Sequence, residues 1–266
     1  MEKTLLTPPL NKQALAKNFS LVARQYNEVA ILQKEVGSRL LERLDLIKKE
    51  PGTILDLGAG TGSFSEPLAV KYPKANIINL DFAIDMLSWL KNNRQHSPSG
   101  ISPPVLLCAD AEQIPLESDS IDLVFSNCSI LWMNHRKTFQ EIYRILKPNG
   151  LFLFSTLGPD TLKEIRHFLQ RSTHFLPTNA FMDMHDVGDF LLQSHFFDPV
   201  MDRENLILNY QDVDILISDL KSFGEDMDSH LQKSFLETET KKFSLDSLGA
   251  FSITYECIYG IAWKMA

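Results

Sequence analysis

Ile54-Leu55-Asp56-Leu57-Gly58-Ala59-Gly60-Thr61-Gly62 decides the architecture of this chain. An apolar run, a cluster of glycines and then a helical pattern from about Ser63 to Tyr72 read as a buried strand, a tight loop and a helix. The glycines permit the turn and let a ligand approach the backbone, and the helix start offers unpaired N–H groups to negative charge. Outward from this stretch the pattern alternates. Strands are expected at Thr53 to Leu57 and Ala75 to Leu80, a helix from Ala83 to about Asn93, and strands at Val105 to Cys108 and Ile121 to Ser126. A helix from about Arg136 to Leu146 and a strand at Leu151 to Ser155 follow. Runs such as Leu151-Phe152-Leu153-Phe154 are apolar on both faces, as a parallel sheet covered by helices requires. The core is expected to be doubly wound α/β.

Upstream, Leu15, Phe19, Val22 and then Ile31, Leu32, Val36, Leu40, Leu41 and Leu44 recur at helical spacing. They predict a short helix, a bend near Tyr26-Asn27 and a long amphipathic helix that Pro51-Gly52 ends. Asn92 to Pro104 reads as a surface loop. Beyond Gly158-Pro159 the pattern predicts a helix to about Gln170, another at Asp186 to Ser194, a strand at Val200 to Leu208, a helix at Val213 to Phe223 and a last strand at Phe251 to Trp263. Glu225-Asp226-Met227-Asp228 reads as a mobile acidic segment. The expected organisation is one structural domain. Residues 1–50 form an N-terminal helical lid on a core of residues 51–266, whose insertions at about 172–185 and 212–248 build a substrate cap.

The 266 residues carry 34 acidic against 26 basic side chains, a net charge of −8, which excludes a general nucleic-acid binder because phosphate neutralisation needs a concentrated basic face. Apolar runs stay at strand length, far short of the roughly 20 residues of a bilayer span. The N-terminus lacks the apolar core of an export signal, so a cytoplasmic protein without membrane contact is expected. Cys108, Cys128 and Cys257 lie far apart with no Cys-x-x-Cys pair, which argues against disulfides and zinc and for buried thiols. Charge is uneven: residues 1–50 hold nine basic and six acidic side chains, residues 198–266 six and thirteen, so an acidic partner would be steered to one end.

Asp81 closes the second strand, where an acid can accept bonds from both hydroxyls of a ribose. Ser63 stands where the dinucleotide fingerprint wants its third glycine, which argues against NAD. The glycine loop and Asp81, with Asp110-Ala111 after the third strand and Leu146-Lys147-Pro148-Asn149-Gly150 before the fifth, resemble the class I S-adenosylmethionine-dependent methyltransferases. That resemblance implies a Rossmann-like sheet of seven mostly parallel strands, the last antiparallel. It also implies S-adenosyl-L-methionine as cofactor and S-adenosyl-L-homocysteine as product. By it Gly58, Gly60 and Gly62 line the methionine and ribose moieties, Asp81 holds the ribose, and Asp110 and Ala111 meet the adenine. Asp56, Ala59, Phe82 and Met86 complete the expected cofactor shell. Read locally, Asp110 serves equally as a turn cap.

A closer resemblance extends over roughly residues 11 to 222 and the last strand. Asn11-Lys12-Gln13-Ala14-Leu15-Ala16 with Tyr26 and Leu32-Gln33, Phe125-Ser126-Asn127 with Leu131-Trp132, and Phe154-Ser155-Thr156-Leu157-Gly158-Pro159-Asp160-Thr161-Leu162 resemble the malonyl-acyl-carrier-protein O-methyltransferases of biotin synthesis. So do Phe181-Met182-Asp183-Met184-His185-Asp186-Val187-Gly188-Asp189, Asp219-Leu220-Lys221 and Thr254-Tyr255-Glu256. The chain departs from that pattern at Ala59, where many relatives have cysteine, and at Phe223-Gly224-Glu225-Asp226, where they are less acidic.

The resemblance implies methyl transfer to the free carboxylate of a malonyl thioester on acyl carrier protein, with malonyl-coenzyme A as the other possible thioester. A carboxylate of pKa about 4 is ionised at neutral pH, so the nucleophile needs no general base. The protein must align oxygen, methyl and sulfur and exclude water. Tyr26, at the bend of the lid, is the candidate for orienting the reacting groups, against a plain packing role. Gln33 fits a contact to the cofactor's polar end or a solvent-facing position. Asn127 and Trp132 fall at the carboxyl end of the fourth strand, where open sheets bind ligands, with Trp132 also readable as core. Arg24, Lys221 and Arg203 are the candidate cations for the malonyl carboxylate. Asp183, His185 and Asp186 read as the capping of a helix rather than metal ligands, and no metal is expected. Lys163, Arg166 and Arg171 on one helix, or Lys12, Lys17 and Arg24 on the lid, could dock an acidic carrier. Two other readings stand beside this one: a quinone C- or small-acid O-methyltransferase, the former needing a base over the pocket, and a non-catalytic cofactor-binding assembly factor.

Overall fold

The computed structural model describes residues 11–93, 102–166, 181–223 and 251–266. Strand β1 (Thr53–Leu57) is flanked in parallel by β2 (Asn76–Asp81) and β4 (Ile121–Ser126). Beyond them lie β3 (Val105–Cys108), parallel to β2, and β5 (Leu146–Leu157), parallel to β4. Strand β7 (Phe251–Trp263) inserts antiparallel between β5 and β6 (Phe197–Tyr210). The seven-stranded sheet therefore runs β3-β2-β1-β4-β5-β7-β6, and it has the seven mostly parallel strands with the last antiparallel that the resemblance implies. The chain winds outward from β1 to β3 and returns to the other side of β1 at β4. Between β1 and β4 the winding reverses, which opens a crevice at their carboxyl ends.

Alternation along the strands sorts the core into two layers. Ile54, Leu123, Phe125 and Leu153 face Leu32, Val36 and Leu40 of α3 (Ile31–Arg43), Leu68 of α4 (Ser65–Lys71) and Leu216 and Leu220 near the C-terminal helix at Val213–Lys221. Leu55, Val124, Phe152 and Phe154 face Phe139 and Ile142 of the helix at His135–Ile145 and Val187 and Leu191 of the helix at Met184–Gln193. Each such side chain stabilises by roughly 1.5–3 kcal/mol on burial, against tenths for helix propensity, so packing decides where the helices sit. Helices α1 (Lys12–Val22) and α2 (Tyr26–Val29) precede α3; the chain breaks at residues 23–25 and again at Ala30, so the bend expected near Tyr26-Asn27 is a single helical turn between two breaks. In order along the chain, α5 is Ile84–Asn93, α6 His135–Ile145, α7 Met184–Gln193 and α8 Val213–Lys221. Asp183 caps α7 by accepting the His185 N–H at 2.8 Å, as predicted for that acidic cluster.

Three expectations need correction. Residues 159–165 form turns, not the start of a helix: Leu162 takes a φ of 56° and donates its N–H to the Thr254 carbonyl at 2.8 Å, so β7 holds the segment out of helical shape. Strand β5 begins at Leu146, five residues early, because Leu146 already pairs with Ile121 of β4 ahead of a register shift; between Leu146 and Leu151, Asn149 takes a φ of 62° and donates its N–H to the Lys264 carbonyl at 2.9 Å. Of the three free thiols Cys128 and Cys257 are buried but Cys108 is exposed, since β3 is an edge strand. The acidic segment 225–228, Arg171 and most of both insertions lie outside the described residues. Among the described residues no helix is long and apolar enough to cross a membrane.

Candidate functional site

The glycine loop hangs from its neighbour strand: the N–H groups of Gly58 and Ala59 both donate to the Leu80 carbonyl, at 2.8 and 3.0 Å. Gly58 adopts φ 72°, and a Cβ there would stand 2.3 Å from that of Ser129 after β4. Gly60, at φ 54°, leaves room for the Tyr26 ring, which would lie 3.8 Å from a Cβ. Asp81 pins the loop: its Oδ2 accepts the Gly60 N–H and its Oδ1 the Ala83 N–H, each at 2.8 Å. Burial pushes its carboxyl up to about 6 even so. Asp56, on β1 and buried with Oδ2 unpartnered, is pushed up to about 7 by burial and by Asp81.

A cleft opens over this loop, and its lining includes Tyr26, Gln33, Gly58, Gly60, Asp81 and Phe82, with Met86, Asp110, Ala111, Asn127 and Trp132. Most of the predicted cofactor residues thus converge. Ala59, Gly62 and Asp56 sit behind or beside the lining. Gln33 is 6% exposed, so it is not a solvent-facing residue. Its Nε2 donates to Ser222 Oγ at 2.8 Å, and its Oε1 has no partner. Asn127 bridges elements, accepting from Ser155 Oγ at 2.7 Å and donating to the Gln33 carbonyl at 2.8 Å. Trp132 is buried, with Phe19 edge-on at 6.2 Å. Asp110 combines the two local readings: it accepts the Glu112 N–H at 2.9 Å as a turn cap and still faces the cleft.

The Tyr26 hydroxyl is held far above an ordinary phenol's pKa by burial first and by Cys128, Asp81 and Asp219 after it. It is a neutral phenol at physiological pH, able to donate but not to act as a base. The segment between α1 and α3 is tied down by Asn27, whose Oδ1 accepts from Thr61 Oγ1 at 2.6 Å and Ser63 Oγ at 3.3 Å. Behind Ser222, the buried Asp219 accepts hydrogen bonds from the hydroxyls of Tyr210 and Tyr255, which anchors the end of α8 against the sheet.

The three candidate cations do not line the cleft. Arg24 is exposed in a groove with Asp85 and Trp89. Arg203 pairs with Glu256 at 2.9 Å on the outer strands. Lys221 lies in the last turn of α8. Lys12, read as a surface cation of the lid, is the basic residue in the lining, with its Nζ 2.7 Å from Asp110 and 2.5 Å from Glu112. Arg166, expected on a docking helix, instead donates to the Pro159 and Thr161 carbonyls. From the sequence Phe19 was read only as part of the helical periodicity and Asn27 only as part of the bend, and Ser222 was not singled out. The seven-residue spacing of Lys12, Phe19 and Tyr26 was the available signal for the first.

A family described as "Methyltransferase domain" matches residues 55–154. The YcgJ protein of Bacillus subtilis superposes with a TM-score of 0.64 at 18% identity, over 87% of this chain and 99% of that one. Phosphoethanolamine N-methyltransferase 2 of Haemonchus contortus, solved in complex with S-adenosyl-L-methionine, superposes with a TM-score of 0.54 at 18% identity, over 86% of this chain and 52% of that one. Fold and site together define a class I S-adenosylmethionine-dependent methyltransferase. The malonyl-[acyl-carrier protein] O-methyltransferase of Gallionella capsiferriformans is 42% identical over 97% of this chain and 92% of its own length. That of Methylovorus sp. is 41% identical over 96% and 90%. The chain belongs to the malonyl-[acyl-carrier protein] O-methyltransferase family.

Proposed function

We propose that the protein methylates the free carboxylate of a malonyl thioester on acyl carrier protein, an early step of biotin synthesis, with S-adenosyl-L-methionine as donor. The observation that carries the reading is a cleft with cofactor determinants and no free base among its described lining residues. Asp81 is bonded to backbone N–H groups and Tyr26 is a neutral phenol. A carboxylate nucleophile needs no base, whereas a ring carbon does, which disfavours the quinone alternative.

The residues fit the cofactor. Gln33 Oε1 is a buried acceptor without a partner, suited to the ammonium of a methionine moiety. Asp81, Phe82, Met86 and Asp110 line the same cleft, where Asp81 would accept from ribose hydroxyls, Phe82 and Met86 would meet an adenine face and Asp110 its amine. The bound cofactor would supply the methyl group on a cationic sulfur. Tyr26, held over Gly60, would orient the approach and cover the path from water. Arg24, Lys221 and Arg203, outside the cleft, would then contact the substrate's carrier, and the N-terminal 50 residues would act as the lid.

Transfer of tritiated methyl from labelled cofactor to malonyl carrier protein, malonyl-coenzyme A and free malonate tests this. Label on the carrier thioester that base releases as methanol is the expected result. Base-stable label would point to carbon or nitrogen methylation, and no incorporation to a non-catalytic module, either of which overturns the proposal. Tyr26→Phe should retain cofactor binding and lower kcat.

A further inference from the structure

Lys12, Phe19 and Tyr26 recur at seven-residue intervals and all three line the cleft, so the N-terminal helices present one face to it. Leu15 is the one buried residue of α1, and Phe19 and Val22 pack, partly buried, against the cluster of Ala83 and Met86. Phe19 adds an edge-on contact to Phe82 at 6.1 Å. The polar end is held by Lys12, whose Nζ lies 2.8 and 2.7 Å from the two oxygens of Asp110 and 2.5 Å from Glu112. The Lys12 side chain is 29% exposed, well enough shielded for charge-assisted bonds to three carboxylate oxygens to outweigh an ordinary surface pair. Lys137, 3.6 Å from Glu112, is the other cation at this cluster.

We infer that Lys12 is the latch of the lid: its ammonium, bridging Asp110 and Glu112, closes α1 over the adenine end of the cleft and has to let go each time cofactor enters or product leaves. The inference rests on the proposed placement of adenine at Asp110. The bond pattern allows latch and ligand to share that acid. Oδ1 accepts from Lys12 and from the Glu112 N–H, while Oδ2 accepts from Lys12 alone and keeps a lone pair for an adenine amine. The bridge links residues 98 apart in sequence, so it ties the start of the described chain to the loop after β3. Opening it breaks ion pairs at the surface of the cleft, a step that salt accelerates.

Stopped-flow dissociation of S-adenosyl-L-homocysteine from the full chain, followed by tryptophan fluorescence at 0.05 and 0.5 M NaCl, tests the latch. Wild-type dissociation is expected to quicken with salt. Lys12→Met should dissociate roughly tenfold faster at low salt and lose most of the salt dependence, the scale expected for losing charge-assisted bonds that are partly shielded. Lys12→Arg should restore both. Glu112→Gln, which leaves α1 untouched, should fall between. If Lys12→Met keeps the wild-type rate and salt slope, or dissociates more slowly, the latch is refuted while the proposed function stands. If the wild-type protein does not bind S-adenosyl-L-homocysteine at all, the proposed function falls and the latch with it.

Discussion

Asp81 carries opposed demands. Burial raises its carboxyl to about 6, above the roughly 3.9 of an unfolded chain. The folded state therefore holds the proton more tightly. The stability this group contributes is fully present below the unfolded value and is lost as pH rises through about 6. With Asp81 at the proposed ribose site binding runs the other way, because ribose hydroxyls would donate to the anion. Affinity for S-adenosyl-L-homocysteine should fall roughly tenfold between pH 7 and pH 5, the ratio a single group of that pKa gives. Asp81→Asn should bind more weakly at pH 7 and show a shallower slope, any remainder belonging to Asp56, whose carboxyl burial alone then raises. Titration calorimetry across that range decides the matter: equal slopes in both proteins would remove Asp81 from the ribose site.

At the scale of elements, the bend between α1 and α3 positions Tyr26, and Asn27 is what fastens it. Thr61, 2% exposed, loses its hydroxyl's partner when Asn27 becomes alanine, and an unsatisfied buried group of this kind costs about 1–3 kcal/mol. Asn27→Ala should therefore lower Tm by several degrees in a thermal melt and raise KM for the methyl donor. An unchanged KM would show that the bend keeps its place without the glycine loop. How legible such elements are in the sequence depends on where their partners lie. Strand β1 and its loop read plainly, because apolar runs and glycines are local signals. The bend at Tyr26 also read plainly, from a break in helical periodicity. The turn at 159–165 did not, because Leu162 is held by Thr254 and the segment's shape is set by β7. Lys12 was taken for a surface cation for the same reason: the acids it binds belong to a loop about one hundred residues away, and no periodicity on α1 reveals them. Arg203 and Glu256 were both noticed singly, but their pairing required the register of β6 against β7.

For the whole molecule, the cleft is where three separately built parts meet. The N-terminal helices contribute Tyr26 and Gln33, the sheet contributes Gly58, Asp81 and Asn127, and the end of α8 contributes Ser222. The Gln33 to Ser222 bond, 189 residues apart in sequence, joins the first part to the third. A ligand seated there touches all of them and binds only the folded chain, so its binding energy is added to the stability of the entire fold rather than to one loop. At one hundred times its Kd, S-adenosyl-L-homocysteine should stabilise by about 2.7 kcal/mol, which for a chain of this size is a rise in Tm of roughly 5–10 °C. Ser222→Ala should reduce that rise more than it lowers the Tm of the free protein, since it releases the Gln33 amide nitrogen and with it the orientation of Oε1, the buried acceptor left for the ligand. Differential scanning calorimetry with and without ligand measures both quantities. A ligand-induced rise that is the same in Ser222→Ala and wild type would mean that the C-terminal helix, although it lines the cleft, takes no part in holding the cofactor, which the N-terminal helices and the sheet would then hold alone.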